Sequence, residues 1–203
     1  DVVFVDVDGV VKTIRETGLV LDKGNKIIKI DHPQIVENLP DAFSTGAFDA
    51  GIIAVKSYDT EILASSLTPH KSALRSVVCL QNGVENESVL SSFLGNENVI
   101  AGTLTSAVRK VGPGHVVLER QRGIGLVNTH NLSVELAWAF KVADLNPRLY
   151  ENSDAMKWSK LLTNLIGNAT SAILDMTPAE IYSHPDLYRI EKRQIQEALL
   201  VMR

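Results

Sequence analysis

Through most of the chain, short continuous apolar runs alternate with stretches whose apolar residues recur every three or four positions. VVFVDV (2–7), GIIAVK (51–56), SVVCLQ (76–81) and NVIAGT (98–103) are rich in Val and Ile. Such runs predict strands covered by helices on both faces, as in a parallel sheet. DTEILASSL (59–67) and ENESVLSSFL (85–94) read as helices between them. GLVLD, KG and NKIIKI (18–30) predict a hairpin. HVVLER, QR and GIGLVN (115–128) predict another, with VELAWAFKVAD (134–144) as the helix that follows. The strand–helix repetition implies an α/β layer architecture. Around NPRLYENSD (146–154) the pattern changes, and from Asp154 onward only helix signals are found. Thr177-Pro178-Ala179-Glu180 spells a capping box with proline at the first helical position. Ser183-His184-Pro185-Asp186 opens a last helix whose apolar residues include Leu187, Ile190 and Leu199. The layout is a doubly wound α/β domain over residues 1–151 and the start of an all-α domain over 152–203.

Composition narrows the class without naming a function. The 203 residues are 45% hydrophobic and 22% charged, a soluble globular balance. A formal charge of −4 gives no electrostatic case for nucleic acid or an anionic membrane surface. No apolar stretch approaches the roughly 18 residues needed to span a bilayer, and nothing resembles a signal peptide. The single cysteine, Cys79, reads as a small buried hydrophobe and cannot form an internal disulfide, which favours a reducing cytoplasm. Asp1 leads straight into an apolar strand and Arg203 interrupts a helical pattern, so both ends read as truncations.

The opening VVFVDVDGVV admits two readings. As the nucleophile loop of a phosphatase of the haloacid dehalogenase type, it would need a later acidic pair to hold magnesium. Ser57 and Lys110 or Lys141 could serve as that type's other motifs, but no acidic pair follows an apolar strand downstream. As a strand ending on an acid, it would offer Asp6, or Asp8 if the strand runs further, to the adenosine ribose of a dinucleotide. A helix N-cap is the plain alternative for Asp6. No G-x-G-x-x-G occurs at a strand–helix junction; the first strand and its phosphate loop would precede Asp1.

Other strand ends would share that ligand edge. GIIAVK ends in Lys56, SVVCLQ runs into Asn82-Gly83, and NVIAGT leads to Thr103-Leu104-Thr105-Ser106. KWSKLLTNLIGNATSAILDM (157–176) is the most informative segment. At about 100° per residue, Lys160, Asn164, Asn168 and Ser171 fall within about 80° of one another on a helical wheel, beside an apolar face that includes Trp158, Leu162 and Ile173. Asparagine competes for backbone hydrogen bonds in mid-helix, so two of them beside a lysine suggest a cleft-facing row for an oxygen-rich ligand.

VKSYDT, LQNGVENE, GTLTSAVRKVGPG and KWSKLLTNLIGNATSAI occur in the order seen in ketopantoate reductases, and the chain resembles that family over nearly its whole length. The resemblance implies a Rossmann-like domain, here without its first strand and glycine-rich loop, followed by a truncated all-α domain with the active site between them. It implies NADPH- or NADH-dependent reduction of 2-dehydropantoate to pantoate, with no metal. Carried over by position, the general acid falls on Lys160, the substrate-binding asparagines on Asn164 and Asn168, the lysine near cofactor and substrate on Lys56, and the asparagine by the nicotinamide on Asn82. Where many relatives carry an arginine suited to a 2′-phosphate, this chain has VDVDG, and the Asp6 carboxylate leans toward NADH. Lys56 or Lys157 would be the neighbouring cation that lowers the pKa of Lys160. The expected partner is a small 2-oxo acid, and the last helix could pack on missing helices or on a second subunit in a homodimer. Two alternatives remain: a dehydrogenase of another 2-oxo acid or a sugar alcohol, and a non-catalytic nucleotide-binding protein.

Overall fold

The computed structural model describes residues 1–202. Five strands form the principal sheet, in the order β11 (Pro147–Tyr150), β10 (Ile124–Val127), β7 (Val99–Leu104), β6 (Val77–Cys79) and β5 (Gly51–Ile53). β5, β6 and β7 are parallel, as their uninterrupted apolar runs predict, whereas β10 lies antiparallel to β7 and β11 parallel to β10. Alternate residues face opposite layers. Val77 and Cys79 pack with Ala64 and Leu67 of α3 (Thr60–Leu67) and with Leu90 and Leu94 of α4 (Asn86–Leu94). Val78, Ile100 and Leu126 pack on the other face with Leu132 of α5 (Asn131–Val142) and Met156 of α6 (Ser153–Leu165). Fully burying side chains such as Leu90, Ile100 and Leu126 contributes about 1.5–3 kcal/mol each. The sheet is therefore covered on both sides, and α6 is part of one cover.

A two-stranded parallel pair, β1 (Val3–Val5) with β4 (Gln34–Val36), is packed by α1 (Asp8–Thr17) through Val11 and Ile14. α2 (Leu39–Ser44) contacts both β1 and β4, and its Leu39 and Phe43 also reach the core beneath β5. The hairpin of β2 (Leu19–Asp22) and β3 (Ile27–Ile30) forms as expected. It belongs to a four-stranded sheet ordered β3-β2-β9-β8, with β8 (Ala107–Gly112) and β9 (His115–Arg120).

The expected hairpin over 115–128 does not form. β9 pairs with β8 across Pro113-Gly114, where Gly114 takes φ +71°, and β10 enters the principal sheet instead. Burial explains the division. Every residue of β10 is buried, which a sheet covered on both faces provides, whereas β9 is half-buried to exposed throughout.

From Ser153 onward every described element is helical: α6, α7 (Asn168–Leu174), α8 (Pro178–Ser183) and α9 (Pro185–Val201). Asn152 caps α6 by accepting from the Ala155 N–H at 2.8 Å. The capping box of α8 is complete: the Thr177 hydroxyl accepts from Glu180 N–H and the Glu180 carboxylate from Thr177 N–H. The continuous helix over 157–176 is not observed. α6 stops at Leu165, Gly167 adopts φ +73°, and α7 restarts at Asn168. Glu191 of α9, almost fully buried, accepts from Gly167 N–H at 2.8 Å and from the Thr170 hydroxyl at 2.5 Å. A carboxylate thus takes the amide that an unbroken helix would have kept, and glycine tolerates the left-handed turn. The expected apolar face fails in the same region: Ile173 is 79% exposed. On α9 the packed position is Glu191, while Ile190 and Leu199 face outward. No helix among the described residues is long and apolar enough to cross a membrane.

Candidate active site

The carboxyl ends of β5, β6 and β7 lie side by side, and the chain beyond each is held from below by a buried polar network. Gln81 donates to Val55 O at 2.9 Å and to the Thr60 hydroxyl at 2.8 Å. Thr60 donates to Asn86 Oδ1 at 2.9 Å, and Asn86 Nδ2 donates to Asn82 O at 2.9 Å. Thr60, Gln81 and Asn86 are all buried, and each bond answers a desolvated polar group that would otherwise cost about 1–3 kcal/mol. The network fixes the backbone next to Lys56 and that of Asn82 itself. Gly83, at φ +103°, then turns the chain away and leaves Asn82 exposed.

α6 crosses this edge, packing on β7 and β10. Next to Met156, which packs in the core, Lys157 is only 5% exposed. Lys157 Nζ donates to Gln81 O at 2.8 Å and Gly102 O at 3.2 Å, and lies 2.7 Å from Glu87 Oε1. Burial pushes the nearby Cys79 thiol up to about 12, with the Glu87 charge adding to the rise and Lys157 opposing it. Lys157 is therefore spent on structure. It does not act as the neighbouring cation expected for Lys160.

One turn on, Lys160 is half-buried and pairs with no carboxylate among the described residues. Its pKa is held below the ordinary lysine value, first by burial and then by the charge of Arg122. A further turn along, Asn164 Nδ2 donates to Asn82 Oδ1 at 3.3 Å, so two of the residues singled out above meet across the helix–sheet junction. Asn168 is exposed at the first position of α7, beyond the break. Lys56 is exposed after β5, next to the Val55 carbonyl held by Gln81. Asp6 is exposed after β1, with Oδ1 accepting from its own neighbour Val7 N–H at 2.8 Å; none of its hydrogen bonds joins it to the Lys160 group. A groove of about 610 Å³ lies elsewhere, between the β2–β3 hairpin and the end of α5, and the Lys23–Asp144 ion pair at 2.9 Å satisfies charges along it. Among the described residues no group of three or more His, Cys, Asp or Glu side chains could hold a metal ion.

Gln81, Thr60, Asn86, Glu87 and Arg122 are not among the residues that the sequence singles out. Polar residues after a strand look solvated in sequence, and only the fold reveals which are buried together. For Arg122 the one available signal was its place between two apolar strand runs.

The family model described as Ketopantoate reductase PanE/ApbA matches residues 1–130, and that for the PanE/ApbA C terminal matches residues 152–203. The chain belongs to the ketopantoate reductase family. It is similar to the 2-dehydropantoate 2-reductase of Halobacterium salinarum, 26% identical over 196 residues that cover 93% of this chain and 62% of that protein. The 2-dehydropantoate 2-reductase of Streptococcus pyogenes serotype M1 is 28% identical over 132 residues, 62% of this chain and 42% of that one. Among solved structures, a PanE/ApbA family ketopantoate reductase from Ralstonia eutropha JMP134 superposes with a TM-score of 0.81 at 27% identity, over 96% of this chain and 63% of that one. D-mandelate dehydrogenase, solved with NADH and anilino(oxo)acetate, shares the fold with a TM-score of 0.78 at 23% identity, over 92% of this chain and 61% of that one. This ketopantoate reductase family chain thus spans less than two thirds of the length of these relatives. Its architecture is that family's Rossmann-plus-helical fold.

Proposed function

We propose that the full-length protein is an NAD(P)H-dependent 2-dehydropantoate 2-reductase, forming pantoate with Lys160 as the general acid. One observation carries this reading: a half-buried ammonium that takes no carboxylate among the described residues stands one turn from the point where Asn164 meets Asn82. An ammonium paired with an acid, as Lys157 is, would be neutralised; Lys160 remains available to a developing oxyanion.

The residues at the strand ends suit a nicotinamide dinucleotide in part. Asp6 offers a carboxylate to ribose hydroxyls, and it would repel a 2′-phosphate, which favours NADH over NADPH. The exposed Asn82 carboxamide and Lys56 lie after neighbouring parallel strands, where ligands of open α/β sheets bind. When bound, the dinucleotide supplies the hydride that adds to the ketone carbon. Lys160 then hydrogen-bonds the ketone oxygen, stabilises the negative charge that develops there and donates Nζ–H to it, leaving the hydroxyl of pantoate. A lysine pKa lowered by burial eases that proton transfer. Asn164 and Asn168 would bind substrate hydroxyl or carboxylate groups without adding charge, so Lys160 stays the principal proton donor. The proposed division of labour is residues 1–151 chiefly for the dinucleotide and 152–203 chiefly for the substrate, with Lys56 near both.

Spectrophotometry of the full-length protein tests the reading. Oxidation of NADH or NADPH should depend on 2-dehydropantoate and exceed that with a panel of other 2-oxo acids and sugar-alcohol substrates. Cofactor binding without oxidation by any of them would favour a non-catalytic role and overturn the proposal.

A further inference from the structure

Arg122 lies beside the carboxyl end of β7 and takes no carboxylate among the described residues. β7 and β10 are antiparallel, with Leu104 opposite Ile124, so the carboxyl end of β7 and the amino end of β10 share one edge. Arg122 immediately precedes β10 on that edge. Its backbone is held tightly: Arg122 N–H and Gly123 N–H both donate to the Ser106 hydroxyl, at 3.1 and 3.0 Å. Asn146 Nδ2 donates to Arg122 O at 2.7 Å, and Thr105 N–H and Ser106 N–H donate to Gly123 O at 3.0 and 3.2 Å. Gly123 takes φ +141°, and a Cβ there would run into the Asn146 carbonyl oxygen.

The guanidinium, by contrast, is exposed. Arg15, Arg109, Arg189 and Arg193 each take a carboxylate of this chain; Arg75, Arg120, Arg122, Arg148 and Lys160 take none among the described residues, and of these arginines Arg122 is the one whose charge acts on Lys160. α6 packs on both β7 and β10, Lys160 lies one turn beyond Lys157, whose Nζ reaches Gly102 O of β7, and after burial it is the Arg122 charge that lowers the Lys160 pKa. Two neighbouring cations without an acid repel one another, and an anion bound between them relieves the repulsion.

We propose that Arg122 anchors the carboxylate of the 2-oxo acid while Lys160 faces the adjacent ketone oxygen. The assignment rests on the reductase reading above. In a 2-oxo acid the two oxygen-bearing carbons are directly bonded, so its carboxylate and ketone oxygen present themselves side by side to two cations on one rim. The planar guanidinium suits a carboxylate, which it can grip with two parallel N–H groups, and the compact ammonium suits a single oxygen that takes up a proton. Arg122 would thus set the preference for an acid over its uncharged analogues.

The test uses the full-length protein and its Arg122→Gln and Arg122→Lys variants. Arg122→Gln should raise KM for 2-dehydropantoate by about 10–100-fold with a much smaller change in kcat, as expected for loss of a charge-assisted contact. KM for the corresponding lactone, which lacks the carboxylate, should not move, and Arg122→Lys should recover part of the loss for the acid. Calorimetric titration with oxamate, a carboxylate beside a carbonyl, supplies a readout without turnover: Arg122→Gln should weaken its binding by a similar factor. Unchanged KM for the acid, unchanged oxamate affinity, or an equal loss for acid and lactone overturns the assignment. If the wild type reduces neither acid nor lactone yet binds oxamate in an Arg122-dependent way, the reductase reading falls and the anion site stands.

Discussion

Lys157 and Lys160 sit three residues apart on α6 and have opposite fates. The inner lysine is closed in by two carbonyl oxygens and the Glu87 carboxylate; the outer one takes no carboxylate among the described residues and feels the charge of Arg122. What separates them is the layer each reaches. Lys157 meets the interior of the sheet edge, where an unpaired charge would be prohibitively expensive. Lys160 clears that edge and keeps some access to solvent, so an unpaired charge is tolerable and remains available to a ligand. A single helix thereby supplies a fastening and a reagent from the same residue type.

The contrast can be broken most sharply at Lys160. In the full-length protein Lys160→Ala should lower kcat by about 10²–10⁴-fold, the range for losing a general acid, while thermal unfolding shifts little. Near-normal turnover would remove Lys160 from the role. Lys157→Met should do the reverse. It strands Glu87 in a buried site and should cost about 3–5 kcal/mol in denaturant unfolding, and adding Glu87→Leu should restore most of it. An unchanged midpoint for Lys157→Met would show that the inner ion pair holds nothing. The smallest expected effect is on pH dependence. A general acid works only while protonated, so activity is present below the Lys160 pKa and lost as pH rises through it. Because burial and Arg122 both lower that pKa, the alkaline limb of kcat/KM should fall below the ordinary lysine range. Removing the Arg122 charge should move the limb upward, with the effect of burial remaining. A limb at the usual lysine position in the wild type would contradict the lowered value.

Much of the scaffold could be read from pattern. Runs such as VVC and VIA belong to strands buried on both faces, and TPAE announced a helix start that the structure reproduces bond for bond. The errors share a cause. A helical period through 157–176 requires Gly167 to stay helical, yet whether it bends the chain is decided by Glu191, 24 residues away. The second hairpin was assigned by adjacency in sequence, while burial on both faces drew β10 to β7. At the candidate site, Asn164 and Asn82 could be singled out individually, and their bond spans 82 residues that no local pattern connects. Lys157 and Lys160 look equivalent in sequence because Glu87, which distinguishes them, lies on another helix. Arg122 was passed over as part of a turn.

The fastening made by Lys157 also limits how far α6 can move. Because its ammonium joins the ends of β6 and β7 from within α6, prising that helix from the sheet would strand two ions and two carbonyl groups at once. The Lys160 side chain therefore stands on a pinned helix, a fixed jamb for whatever it meets.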